Sequence, residues 1–125
     1  MNIPLNFKTL REANTKRLPL FKDKQGRICH MPDGSDWSDA QWLQALVGEL
    51  GEYANLKKKV ERGDLTFEDA KDDLARELAD IVTYIDLLAF RLNIDLGEAV
   101  RQKFNEVSNR IGVSIKITYD GDIIE

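Results

Sequence analysis

Two pairs of carboxylates, Glu49 with Glu52 and Glu77 with Asp80, are the residues of this chain whose types and spacing suit chemistry. Each pair is three residues apart, so on a helix both members share one face. Leu46, Leu50 and Tyr53 surround the first pair, and Leu78 and Ile81 the second, which sets each pair beside an apolar stripe. On antiparallel neighbouring helices the four carboxylates converge on one small volume. Desolvation and mutual repulsion there raise their pKa values unless a cation compensates. A divalent metal meets that need, and an all-oxygen set suits Mg²⁺, with Mn²⁺ as a substitute.

Zinc is disfavoured, because the chain holds one cysteine and one histidine, Cys29 and His30, side by side. They have no partners at metal or triad spacing and read as structural. A di-iron bundle is disfavoured as well, since it uses Glu-x-x-His on two helices and no histidine falls in a helical segment here. Mg²⁺ keeps several waters and meets substrate phosphates, so the site implies phosphate chemistry. The glycine-rich loop of P-loop enzymes is missing. Among 22 acidic residues one such pair is an ordinary solvated face. Two pairs, both beside apolar stripes, favour a site.

The positioning elements are helices. Ser38-Asp-Ala-Gln41 matches a capping box. Apolar residues then recur at Trp42, Leu43, Leu46, Val47, Leu50, Tyr53 and Ala54, before three lysines and Gly63 end the helix. After a turn at Arg62-Gly63-Asp64, Thr66 or Asp64 caps a longer helix with the stripe Leu74, Leu78, Ile81, Ile85, Leu88, Leu92, running to about Asn93. Asp95-Leu-Gly-Glu98 opens a last helix with Val100, Phe104, Val107 and Ile111, stopped by Gly112. Upstream, Asn6 to Arg17 forms a short helix stopped before Pro19, and Phe21 to Ile28 resembles a small hairpin within a loop from Leu18 to Gly34. The tail, Val113 to Tyr119, alternates with period two, and the Asp120-Gly121 turn before Ile123-Ile124 suggests a terminal hairpin. Short connections make successive helices antiparallel. The expected fold is therefore all-α, an antiparallel helical bundle completed by oligomerisation, with a short C-terminal β-hairpin.

Composition sets the outer bounds. At 125 residues, one domain spanning 1–125 is expected. Hydrophobic residues make up 42% and charged ones 32%, enough for a core spread over amphipathic elements. Eighteen basic against 22 acidic residues give a net charge of -4 with no dominant basic block, which argues against nucleic acid as a partner. No stretch is apolar enough for a signal peptide or a membrane span, and the single cysteine points to a cytoplasmic setting.

The run Gly48-Glu49-Leu-Gly51-Glu52-Tyr-Ala-Asn55-Leu-Lys-Lys58-Lys59, followed by Glu77-Leu-Ala-Asp80-Ile-Val-Thr-Tyr84, resembles the MazG-like nucleoside triphosphate pyrophosphohydrolases. These belong to the all-alpha group that includes dimeric dUTPases and phosphoribosyl-ATP pyrophosphatase. The likeness covers roughly residues 37–110. It implies Mg²⁺-dependent hydrolysis of a nucleoside or deoxynucleoside triphosphate to the monophosphate and pyrophosphate, with the metal held by Glu49, Glu52, Glu77 and Asp80.

Further roles follow from that resemblance. Asn55 and Lys59 match the stretch after the first pair and would meet phosphate or sugar, while Lys57 and Lys58 read as a solvated helix end that complements the macrodipole. Lys103 and Arg110 look like late phosphate-binding positions, and Asn105 and Asn109 compete for a late asparagine. Tyr84 lies one turn beyond Asp80, where its ring either stacks on a base or packs in the core. Trp37 is a candidate to close over the base, whereas Trp42 reads as core. Glu49 is the preferred general base. Homodimers or homotetramers with the nucleotide near the interface are implied. The sister activities, dUTPase and phosphoribosyl-ATP pyrophosphatase, keep the same metal residues. A helical interaction module with a merely solvated acidic face is the non-enzymatic alternative.

Overall fold

A computed structural model describes residues 4–22, 30–31 and 35–125. The hairpin expected at Phe21–Ile28 and the position of Cys29 fall mostly or wholly outside these residues. The described chain is all-α, with α1 (Phe7–Arg17), α2 (Asp39–Glu61), α3 (Phe67–Arg91) and α4 (Leu96–Arg110), and then a two-stranded hairpin of β1 (Lys116–Ile117) and β2 (Ile123–Ile124). A 3₁₀ turn over Leu18–Leu20 carries Pro19 in its first turn, where a missing N–H costs nothing. None of the helices is long and apolar enough to cross a membrane, among the described residues.

Local chemistry sets each helix boundary. Asn6 caps α1 by accepting from Thr9 N. Ser38 Oγ accepts from Gln41 N at 3.2 Å while Gln41 Oε1 accepts from Ser38 N at 2.9 Å, so the capping box forms in full. Of the two candidates for α3, Thr66 is the cap. Asp95 caps α4. Gly63 at φ 84° and Gly112 at φ 74° take the left-handed conformation that ends α2 and α4, and Asn93 at φ 58° does the same after α3. In the C-terminal hairpin Lys116 pairs with Ile124 and Ile117 with Ile123, antiparallel. Asn105 on α4 clamps β1, donating from Nδ2 to Ile117 O and accepting from Ile117 N, both at 2.9 Å.

The tight α2–α3 turn makes an antiparallel pair, the main packing unit of the fold, and α1 lies against α3 and contacts α4. The core centres on Leu18, Trp42 and Leu87, with Trp37, Tyr84 and Leu88 packed around them. Asn14, Asp86 and Ser108 are the buried polar residues among those described. Asp86 is 1% exposed, and it accepts from Arg11 Nε at 3.1 Å and from Asn14 Nδ2 at 2.9 Å. Arg11 Nη2 also donates to Ile94 O at 2.9 Å, which ties α1 both to α3 and to the turn that follows it.

The apolar stripes are only partly covered within one chain. On α2, Trp42 is buried, but Leu43, Val47 and Leu50 are exposed; on α3, Leu74 and Ile81 are buried, but Leu78 and Val82 are exposed. Leu50 and Leu78, which flank the two carboxylate pairs, are thus exposed within the single chain. The reason is geometric: one neighbouring helix covers one side of a stripe, and these apolar faces are wider than that.

Candidate metal centre

The capping box at Ser38 fixes where α2 begins and therefore the rotational phase of every later residue on it. Trp42 meets Tyr84 across the α2–α3 seam with ring centroids 5.7 Å apart. Seven residues onward on α2 and seven back on α3, Glu49 meets Glu77. Seven residues is close to two turns, so the face that seats Trp42 on Tyr84 also turns Glu49 and Glu77 toward each other.

Glu49, Glu52 and Glu77 each offer a carboxylate oxygen, and all three oxygens lie within 4.8 Å of one another. Glu49 Oε2 and Glu77 Oε2 are buried with no hydrogen-bond donor. A buried carboxylate oxygen without a donor is costly, and a bound cation removes the cost. Burial pushes the Glu49 carboxyl up to about 7, helped by a contact with Glu77 and by the charges of Glu52 and Asp80. Asp80 is exposed and stands outside the triangle of oxygens, although its charge reaches Glu49. Three of the four carboxylates named from the sequence thus form the cluster, and the fourth borders it. The donor set is all oxygen, which fits Mg²⁺ or Mn²⁺.

Beside the cluster a shallow cleft of about 360 Å³ is lined by Glu52, Asn55, Lys59 and Glu77, together with Asp73 and Arg76. Asn55 and Lys59 are therefore gathered beside Glu52 and Glu77. Lys59 makes no ion pair among the described residues. Arg76 was not singled out in the sequence, although its place directly before Glu77 is a signal that could have found it.

Tyr84 is half-buried and packs on Trp42 within the apolar cluster. Its hydroxyl pKa is raised, first by burial and then by Glu49, Asp80 and Glu52, so the ring joins the core to the acidic site. Trp37 is half-buried in the same aromatic group, 4.9 Å from Trp42 and 4.6 Å from His30 between centroids. His30 is less isolated than the sequence suggested. Its Nδ1 lies 3.1 Å from Asp36 Oδ1, and Asp36 Oδ2 accepts from Trp42 Nε1 at 2.9 Å. This group anchors the segment that precedes α2.

The late basic positions are not brought to the carboxylates within one chain. Lys103 pairs with Glu106 at 3.2 Å on an exposed face, and Arg110 lies exposed in the last turn of α4, a helix that packs on α1 and β1. Both candidate asparagines serve the hairpin, Asn105 through the β1 backbone and Asn109 by accepting from Lys116 Nζ.

Among known proteins, the chain is similar to the Gene 37 protein of Mycobacterium phage L5, at 40% identity over 68 residues. That alignment takes in 52% of this chain and 59% of the phage protein. The chain therefore spans about three fifths of the relative, whose name states no activity. No protein-family model matches the chain, and no solved structure does.

Proposed function

We propose that this protein is a Mg²⁺-dependent nucleoside triphosphate pyrophosphohydrolase of the MazG-like kind, releasing pyrophosphate and a nucleoside monophosphate. The observation that carries the reading is the meeting of Glu49, Glu52 and Glu77 within 4.8 Å, with two buried oxygens that lack donors. Mg²⁺ or Mn²⁺, when bound, would neutralise phosphate charge and make a water more acidic. Glu49, Glu52 and Glu77 would hold it, with Asp80 at the edge. Glu49 would take the proton from the attacking water, as the carboxylate that stands with Glu52 and Glu77 and has an oxygen free of donors. Asn55 and Lys59 would meet phosphate or sugar in the adjoining cleft. Tyr84 and Trp37 line the aromatic side and would meet the base.

Incubation with each of the eight common ribo- and deoxyribonucleoside triphosphates, with product separation, tests this. The expected products are monophosphate and pyrophosphate, dependent on Mg²⁺ and abolished by EDTA. Diphosphate with orthophosphate, or turnover in EDTA, overturns the reading. Adding dUTP and phosphoribosyl-ATP to the same assay separates the sister activities, dUTPase and phosphoribosyl-ATP pyrophosphatase, by substrate.

The reading extends to assembly as a homodimer or homotetramer in the cytoplasm. Leu43, Val47 and Leu50 on α2 and Leu78 and Val82 on α3 leave apolar surface beside the carboxylates that a second copy would cover. Light scattering at micromolar concentration should report an oligomer, and a fully active monomer would remove this part.

A further inference from the structure

We propose that Arg76 binds the phosphate tail of the triphosphate and so makes the site selective for nucleotides with more than one phosphate. This rests on the pyrophosphohydrolase reading and adds to it a specificity residue. The cleft beside the carboxylates carries both signs of charge in its lining: Glu52, Glu77 and Asp73 share it with the cations Lys59 and Arg76 and with the Asn55 amide. A cation held by the carboxylates would neutralise part of the phosphate charge. The remaining anionic charge of a triphosphate needs donors of its own, and Lys59 and Arg76 in the lining can supply them. Arg76 suits this better than a lysine would, because its planar guanidinium can give two parallel N–H donors to one phosphate.

The present partner of Arg76 does not compete strongly. Arg76 Nη1 lies 3.1 Å from Asp73 Oδ1 in an i,i+3 pair whose side chains are 77% and 63% exposed. Exposed pairs of this kind contribute little to folding, and this one has a single short contact. Nothing in the core depends on it, so the guanidinium is free to exchange a solvated carboxylate for a phosphate. A purely structural role predicts the reverse, that Asp73 and Arg76 matter equally.

The test uses the full chain with Mg²⁺, titrated with inorganic tripolyphosphate in a calorimeter, and runs steady-state kinetics on whichever nucleoside triphosphate the wild type hydrolyses. R76A should weaken tripolyphosphate binding and raise KM about tenfold or more, with kcat changed far less. R76K should recover part of the loss. D73N should leave binding unchanged or tighten it, because it frees the arginine. Unaltered tripolyphosphate affinity and KM in R76A would overturn the proposal alone, as would equal losses in D73N and R76A. A wild type that hydrolyses no nucleoside triphosphate would instead overturn the underlying reading and this inference with it.

Discussion

Glu49 and Glu77 face each other across the α2–α3 seam, each with one carboxylate oxygen buried away from any donor. The pair is held there by helix packing and not by its own attraction, since two carboxylates in contact repel unless they share a proton or a cation. Metal and pH should therefore act on the stability of this protein through the same residues.

The sign of the pH effect follows from linkage. The Glu49 carboxyl rises from 4.5 to about 7 on folding, so the folded state binds its proton more tightly than the unfolded state does. Its contribution to stability is complete below the unfolded value and is lost as pH rises through about 7. Without metal, the melting temperature should fall between about pH 5 and about pH 8, and Mg²⁺ or Mn²⁺ should raise it more at the upper end than at the lower. Thermal melts in EDTA and in excess metal check this. A metal-induced shift that is equal at both pH values would remove Glu49 from the site.

Removing one charge separates the roles of Glu77 and Asp80 on α3. Glu77→Gln should abolish turnover while leaving helical content intact and raising the metal-free melting temperature, because repulsion with Glu49 is relieved. Asp80→Asn should cost less, about 10–100-fold in metal affinity, as expected of a group bordering the ligands. Circular dichroism, melting and Mn²⁺ titration on both variants decide the matter. Wild-type turnover in Glu77→Gln would exclude that residue.

The helices and the carboxylates were legible in the sequence for the same reason. Capping residues and stripes of period near 3.6 are local signals, and i,i+3 spacing on a helix needs no tertiary information. Thus Ser38, Asp95 and either Thr66 or Asp64 marked helix starts, and Glu49, Glu52, Glu77 and Asp80 could be placed together once α2 and α3 were taken as antiparallel, although Asp80 falls at the border of the cluster. Long-range pairings were not legible. That Asn105 serves β1 depends on how the chain returns after Gly112, and that Arg11 and Asn14 reach Asp86 depends on where α1 docks. Asp86 did leave a trace, because it interrupts the apolar run Ile85 to Ala89, where a charge is out of place unless something pairs with it.

That buried aspartate should be a determinant of stability and not of catalysis. Asp86→Ala removes the acceptor for Arg11 Nε and Asn14 Nδ2 and leaves the buried Asn14 amide short of a partner. Breaking such an arrangement costs about 3–5 kcal/mol, toward the lower figure here because Arg11 is partly exposed and can be rehydrated. Denaturant unfolding should register the loss, while Mn²⁺ affinity of the folded fraction should stay as in the wild type. Metal binding that falls together with stability would show that α1 supports the site directly.

Tyr84 allows the core and substrate roles to be read apart on one side chain. Its ring packs edge-on against Trp42, so truncation to alanine removes an aromatic contact from the central cluster. Because the ring is half-buried, Tyr84→Ala should cost about 2–3 kcal/mol, below the 3–5 kcal/mol typical of fully buried aromatics. Tyr84→Phe keeps the ring and the packing and removes only the hydroxyl, the part of the side chain that feels Glu49, Asp80 and Glu52. It should therefore melt close to the wild type. Base contact through the ring predicts that KM is unchanged in Tyr84→Phe and raised about tenfold in the folded fraction of Tyr84→Ala, in line with a stacking contribution of about 1–3 kcal/mol. A KM that stays at the wild-type value in Tyr84→Ala, alongside the expected loss of stability, would confine this tyrosine to the core and leave Trp37 as the aromatic residue open to the base.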